Sequence, residues 1–234
     1  MSATKNKSGE PSVIGMLSYG MLTALLSASL GCLYMAAFPA PSFKDERALA
    51  KFQEDRQDTL SRPGDIYFMQ GPSSRDQAWI AKRQAWVDGD TKNITFSHGE
   101  LNAWLAAKFK VATAPSNEDG PKVFIIPGVP NIYVSAELIT LSLQTEFIIF
   151  GNNYTRTAII TGAIDDSSGR AEFTIKSLSI DNAVVPFISV LGRRIVDTLL
   201  QAYSGSEEFT MIKEAWLKVE SVNQSDGSLC FQIR

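Results

Sequence analysis

Cysteine and histidine are almost missing from this chain of 234 residues, which has two Cys and one His. Two cysteines exclude a disulfide-stapled scaffold and a Cys-rich zinc module, and a single histidine excludes a His-rich metal site. A basic surplus is missing too. Lys and Arg number 22 against 25 Asp and Glu, for a net charge of −3, so nothing advertises nucleic acid as a partner. No Gly-x-Ser-x-Gly elbow, Gly-x-Gly-x-x-Gly loop or Walker pattern occurs, and His98 is the one side chain that could serve a serine as a base. No catalytic residue, cofactor or metal is therefore expected. A binding or scaffolding role stands ahead of catalysis.

One absence is local. From Pro11 to Phe43 the chain carries no charged residue, although charged residues make up 20% of the whole. Inside that gap, Val13–Phe38 is rich in Leu, Met and Ala and free of proline. As a helix it would be about 39 Å long, enough to cross a hydrocarbon core of about 30 Å with some tilt. Pro11, Pro39 and Pro41 bracket it. The segment is read as an uncleaved signal-anchor. Two alternatives stand beside that reading: a cleaved signal peptide, whose apolar region is usually shorter, and a lipoprotein with lipidated Cys32 after Ser29-Leu30-Gly31. Gly20, Ala24, Ala28, Cys32 and Ala36 lie four apart on one face, a spacing that lets two helix backbones approach closely. The expected partners are the lipid bilayer and, through this face, other membrane proteins or a second copy. Lys5 and Lys7 before the helix, against Lys44, Arg47, Lys51 and Arg56 after it, do not decide the orientation.

The remainder predicts an α+β fold with an N-terminal transmembrane helix, a helical stalk, and an antiparallel sheet with helices packed on its apolar face. The expected division is a tail over 1–12, the transmembrane helix over 13–38, a helical stalk or linker over 39–90, and the α+β domain over 91–234. Phe43–Leu60 reads as a charged helix with Ser42 as N-cap, ended by Arg62-Pro63-Gly64. Ser74–Val87 reads as a second helix with Trp79, Ile80, Trp86 and Val87 as its buried residues. Ile94-Thr95-Phe96 is a short strand. Ser97-His98-Gly99-Glu100 spells a capping box, and Leu101, Trp104, Leu105 and Phe109 follow at helical spacing.

Strands follow from Lys122, the first ending at Pro127-Gly128. Leu138–Phe150 alternates with period two, its odd positions apolar, as a half-buried strand does. Tyr154–Ile164 and Arg170–Ile180 complete a meander, with turns at Gly151-Asn152-Asn153 and Asp165–Gly169. A phase change predicts a bulge near Ser177. Pro186 opens a helix through about Tyr203. A hairpin of Trp216–Val222 and Ser228–Ile233 closes the chain, with Leu229, Phe231 and Ile233 on one face. The Asp165-Asp166 pair reads as a solvated turn, and His98 as a local structural residue.

The order of these parts, with Glu100-Leu101-Asn102 and Trp104-Leu105 on the capping-box helix, a proline-started apolar helix and a closing hairpin, resembles the small YpmS-like anchored proteins of bacterial envelopes. The likeness covers roughly 94–234. It implies a domain on the outer side of the cytoplasmic membrane, and it brings no catalytic residue with it.

Two principal roles are left. One is a non-enzymatic, single-pass envelope protein that scaffolds or contacts other membrane components. The other is a lipid-binding or lipid-transfer module held at its membrane, with Tyr133, Phe147, Phe173, Phe187 and Tyr203 lining an apolar groove. An enzyme whose site leaves no motif is the third. A continuous apolar cavity would favour lipid; a filled core with an exposed patch would favour a protein partner.

Overall fold

The alternation and the helical stripes meet in one mixed fold. A computed structural model describes residues 12–55, 66–109, 123–166, 171–186 and 192–234. It begins with α1 (Val13–Ala36), the one helix among the described residues long and apolar enough to cross a membrane, with a mean hydropathy of 1.7 over its most apolar window. The most apolar window of α1 has no residue buried against the rest of the chain.

Five strands form the main sheet: β4 (Val123–Val134), β5 (Ile139–Ile149), β6 (Asn152–Asp165), β7 (Glu172–Ile180) and β8 (Ala183–Val184). They are antiparallel and ordered as they occur in the chain. Pro127 was expected to end β4. The strand instead runs on to Val134, with a register shift between Pro127 and Pro130. Proline lacks the N–H of a ladder, but β4 is an edge strand with one neighbour, and a bulge accommodates the residues that cannot pair. The expected irregularity near Ser177 is present: Thr161 pairs with Ser177 and Gly162 with Ile175, which leaves Lys176 without an opposite number.

A second sheet joins β3 (Asn93–Ser97), β10 (Ser228–Ile233) and β9 (Val219–Ser225). Leu229, Phe231 and Ile233 are all buried on its inner face. It abuts the end of β4, where Gly227 N–H donates to the Val134 carbonyl at 3.0 Å. Helices α3 (Ala78–Asp88), α4 (His98–Lys108), α5 (Arg193–Gln201) and α6 (Glu207–Trp216) pack near the apolar faces. The capping box at the start of α4 is complete: Ser97 Oγ accepts from Glu100 N–H at 3.1 Å, and Glu100 Oε2 accepts from Ser97 N–H at 2.8 Å. Helix α6 was not expected, and Trp216 ends it rather than opening the last hairpin. Ser206 caps α6, accepting from Phe209 N–H at 3.1 Å, and Glu207 and Glu208 occupy its first turn.

The stalk expected over 39–90 is corrected in its second half. Trp79 and Trp86 of α3 are buried in the same cluster as Phe96, Trp104 and Phe231. Ile80, expected to be buried with them, is exposed. In the first half of that stretch, α2 (Glu46–Asp55) carries no buried residue. It starts later than expected, at Glu46, because Ser42–Phe43 is a short strand, β1, paired in parallel with β2 (Phe68–Met69). Asp45 Oδ1, not Ser42, takes the early amide, that of Ala48 at 2.7 Å. The expected stop at Arg62-Pro63-Gly64, the 167–169 part of the turn, and the 187–191 part of the helix begun by Pro186 lie outside the described residues. Pro186 itself lies in a bend, outside α5.

Two polar clasps tie the early segments to the sheet. At Gly71, Asn131 accepts the backbone N–H at 2.8 Å and donates to the carbonyl at 3.0 Å, while Asn102 donates to Pro72 and Ile132 carbonyls. The backbones are so close that a Cβ on Gly71 would meet the Ile132 oxygen at 1.8 Å. The second clasp holds the exit of α1. Asp181, 1% exposed and at φ 48° in the β7–β8 turn, accepts from Thr157 N–H at 3.1 Å and Ala40 N–H at 3.4 Å. Asn182 donates to the Phe38 carbonyl and accepts from Ile66 N–H. Burial pushes the Asp181 carboxyl up from its ordinary value, opposed by those amides and by Arg156.

The Gly71 clasp makes a direct prediction. Gly71→Ala must separate the 71–72 segment from β4, and is expected to destabilise the domain by about 2–3 kcal/mol. Denaturant unfolding of the full chain in detergent, followed by tryptophan fluorescence, measures this.

Candidate functional site

The apolar residues of the sheet and helices form two buried clusters rather than one. Trp86, Phe96, Leu101, Trp104 and Phe231 belong to the first, and Phe109, Leu143, Ile160, Leu178, Leu199 and Tyr203 to the second. Ile212 of α6 packs against both. Between them lies a cavity of about 310 Å³ whose walls come from α4, α5, α6, β10 and the inward positions of β4 to β7.

Strand parity decides what reaches it. On β5 the odd positions Ile139, Leu141 and Leu143 line the cavity. Their cross-strand partners follow: Ile132 opposite Leu141 on β4, and Ile160 opposite Leu141 on β6, face the same way. Not one of the described lining residues is charged. Phe173 on β7 and Leu200 on α5, each 38% exposed, lie where this wall meets solvent.

The helical wall is fixed by a buried carboxylate. Glu208 of α6, 6% exposed, accepts two hydrogen bonds from Arg83 of α3, Nε to Oε1 and Nη2 to Oε2, each 2.7 Å. It also accepts from Trp104 Nε1 of α4 at 2.6 Å. Three helices thus share one anion. Burial alone would raise the Glu208 carboxyl, but the Arg83 and Trp104 hydrogen bonds and the charges of Arg83 and Lys108 hold it below the ordinary carboxylate range. On the sheet side, Tyr203 donates its hydroxyl to the Gly128 carbonyl within the β4 bulge. Burial pushes the Tyr203 phenol up to about 12, so it stays a neutral donor.

Of the expected groove residues, Phe173 and Tyr203 lie in the cavity wall. Tyr133 lies on the opposite face of the sheet, because it pairs with Thr140, an even position of β5, while its neighbour Ile132 points inward. Phe147 shares the inward parity but sits beyond Leu143, opposite Tyr154 and Ile125. Phe187 lies outside the described residues. Trp104, Phe209, Ile212 and Trp216 also line the cavity and were not among the expected groove residues; the apolar spacing of Leu101, Trp104 and Leu105 on α4 was the signal for the first of them. Gly20, Ala24, Ala28 and Cys32 are exposed on α1 and Ala36 is half-buried.

A second hollow of about 400 Å³ lies on the other sheet face beneath Ile66–Met69, lined by Tyr133 and by hydroxyls such as Thr140, Thr161 and Ser179. It is mixed in character where the first is apolar. His98 is half-buried against Tyr133, ring centres 5.8 Å apart, and burial lowers its imidazole against the opposing pull of Asp226. Among the described residues no three His, Cys, Asp or Glu side chains gather as a metal-binding group. No protein-family model matches the chain, and no curated protein matches its sequence.

Removing the Glu208 charge tests the helical wall. Glu208→Gln leaves Arg83 buried without its counter-ion and is expected to cost roughly 3–5 kcal/mol. In the unaltered protein, a carboxyl held below its ordinary value contributes its full stabilisation above about pH 4.5 and loses it as pH falls through the lowered value. Unfolding curves from pH 7 to pH 3 should therefore show an acid loss that is smaller in Glu208→Gln.

Proposed function

We propose that this protein is a membrane-anchored module that holds the apolar part of a lipid inside its domain. The cavity between the two core clusters carries the proposal. A close-packed core leaves few voids larger than a water molecule. Were it closed and empty, a space of 310 Å³ would cost up to about 7 kcal/mol at about 24 cal/mol per Å³, and this cavity opens to solvent beside Phe173 and Leu200. That is a large share of the 5–15 kcal/mol that ordinarily separates folded from unfolded chains. About nine buried CH2 groups, at ~0.8 kcal/mol each, would contribute a similar amount. The volume also falls at the small end of the ~300–1,000 Å³ range of ligand pockets.

One polar atom bears on the ligand's chemistry. Trp86 lines the cavity, and its buried Nε1–H meets no acceptor among the described residues. An ester or carboxyl oxygen beside that ring would satisfy it, so a lipid with an acyl function fits better than a bare hydrocarbon. Helix α1 has the length and apolarity to keep the module at the membrane. In this reading the domain stands on the outer side of the cytoplasmic membrane, as the likeness to YpmS-like proteins implies, and acts without catalysis. The scaffolding role anticipated first would be favoured by a filled core, whereas the described residues leave this cavity between the two clusters, which supports the lipid reading.

Mass spectrometry of lipids extracted from the detergent-purified full chain tests the proposal. The unaltered protein should carry an acyl lipid well above the level on an unrelated single-span protein. Ile160→Phe, which adds volume inside the wall, should carry several-fold less while unfolding at about the same denaturant concentration. No lipid above the control protein would overturn the proposal.

A further inference from the structure

The main sheet has two dissimilar ends. At one end lie the β4–β5 turn, with exposed Glu137, and the junction of β6 and β7, with exposed Asp165, Asp166 and Glu172. At the other lie the β5–β6 turn and the β7–β8 turn, and the latter is where Asp181 and Asn182 hold the exit of α1. That end is apolar. Residues 147–155 carry no charge, the first on either side being Glu146 and Arg156. Ile149, Phe150 and Tyr154 are exposed there, Phe150 to 71%.

Phe150 is costly in two ways that nothing among the described residues offsets. It exposes an aromatic ring to solvent, and it stands at φ 49° beside Gly151 at φ 81°, a turn whose first position ordinarily favours Asn, Asp or Gly. A bulky side chain is uncommon at positive φ.

The geometry points to an occupant for this surface: the β5–β6 turn inserts Ile149, Phe150 and Tyr154 into the interface of the bilayer that α1 crosses. This rests on α1 being a membrane span, and it does not depend on the lipid cavity. Distances agree with it. The helix ends at Ala36, and the four residues to the clasp at Ala40 can lift the clasp by at most about 14 Å. Thr157 shares that clasp. From Thr157 back to Asn152, β6 pairs only with β5 and projects past the end of β7 by about 17 Å. A ribbon of that length, projecting from the corner that holds α1, reaches back to the membrane surface. Aromatic side chains are favoured at that depth, whereas the acidic end of the sheet is held away from it. The domain is then fixed to the bilayer at two points, α1 and the turn.

Nitroxide labels on the full chain in phosphatidylethanolamine–phosphatidylglycerol nanodiscs test this. One label sits on native Cys32 with Cys230→Ser; the others sit on Phe150→Cys and Glu137→Cys with both native cysteines replaced by Ser. Labels at 32 and 150 should be relaxed more by oxygen than by a polar nickel chelate, and the label at 137 the reverse. A label at 150 as water-accessible as that at 137, with Cys32 in lipid, overturns the insertion alone. A water-accessible Cys32 overturns the membrane span as well. Spin–spin broadening at 150 without oxygen preference would assign the turn to a second copy and also overturn it. Because Phe150→Cys alters the turn, a photoactivatable phospholipid used on the unaltered chain gives an independent reading. Adducts on 147–155 support the insertion; adducts confined to α1 contradict it.

Discussion

The Glu208 carboxylate ties three helices of the domain to one another. It binds Arg83, Trp104 and its own helix α6 in one buried group. Breaking such a group strands a charge, so α3, α4 and α6 cannot slide past one another without that cost. Trp104 belongs to both features: its Nε1–H completes the anion's shell and its ring lines the void. The helical wall of the cavity is thus held together by a buried ion pair as well as by apolar packing. The Tyr203 hydroxyl does the corresponding work at the sheet, pinning the end of α5 to the β4 bulge.

What the sequence made legible follows from short-range rules. The odd-position alternation of β5 gave the face that lines the cavity, because side chains in a strand alternate without exception until a bulge intervenes. Ser97 and Glu100 announced α4, since both halves of a capping box lie within four residues. The uncharged stretch announced α1. The rest depended on neighbours that the sequence does not display. Pro127 and Pro130 look like strand breakers until β4 is known to be an edge. With β4 cut short in expectation, its parity was hidden, and Tyr133 was assigned to a face it does not share with Leu141. Helix α3 was grouped with the stalk although Trp79 and Trp86 were expected to be buried; what they pack on, Trp104 and Phe231, is remote in sequence. Helix α6 did carry a local sign, Ser206 followed by two acidic residues, but the tryptophan at its end suggested a strand.

The uncharged and the acidic surfaces of this chain lie at opposite ends of the main sheet. Charge is missing from α1 and again from 147–155, while acidic side chains gather at the far turns. The clasp at Asp181 and Asn182 joins these facts, because it fixes the exit of α1 to the same end of the sheet as the uncharged turn. The cavity draws on β5 only up to Leu143, toward the other end. In the proposed arrangement a captured chain would therefore be held in the domain above the bilayer surface.

The central claim is that the space between the two core clusters is a seat for an acyl chain. A crystal structure of the full chain soaked with a fatty acid brominated near its tail, read by anomalous scattering, tests it most directly. The account predicts a bromine peak between Leu143, Ile160 and Phe209. Bromine found only along α1 or on the outer surface, with the space between the clusters closed by side chains, would contradict it.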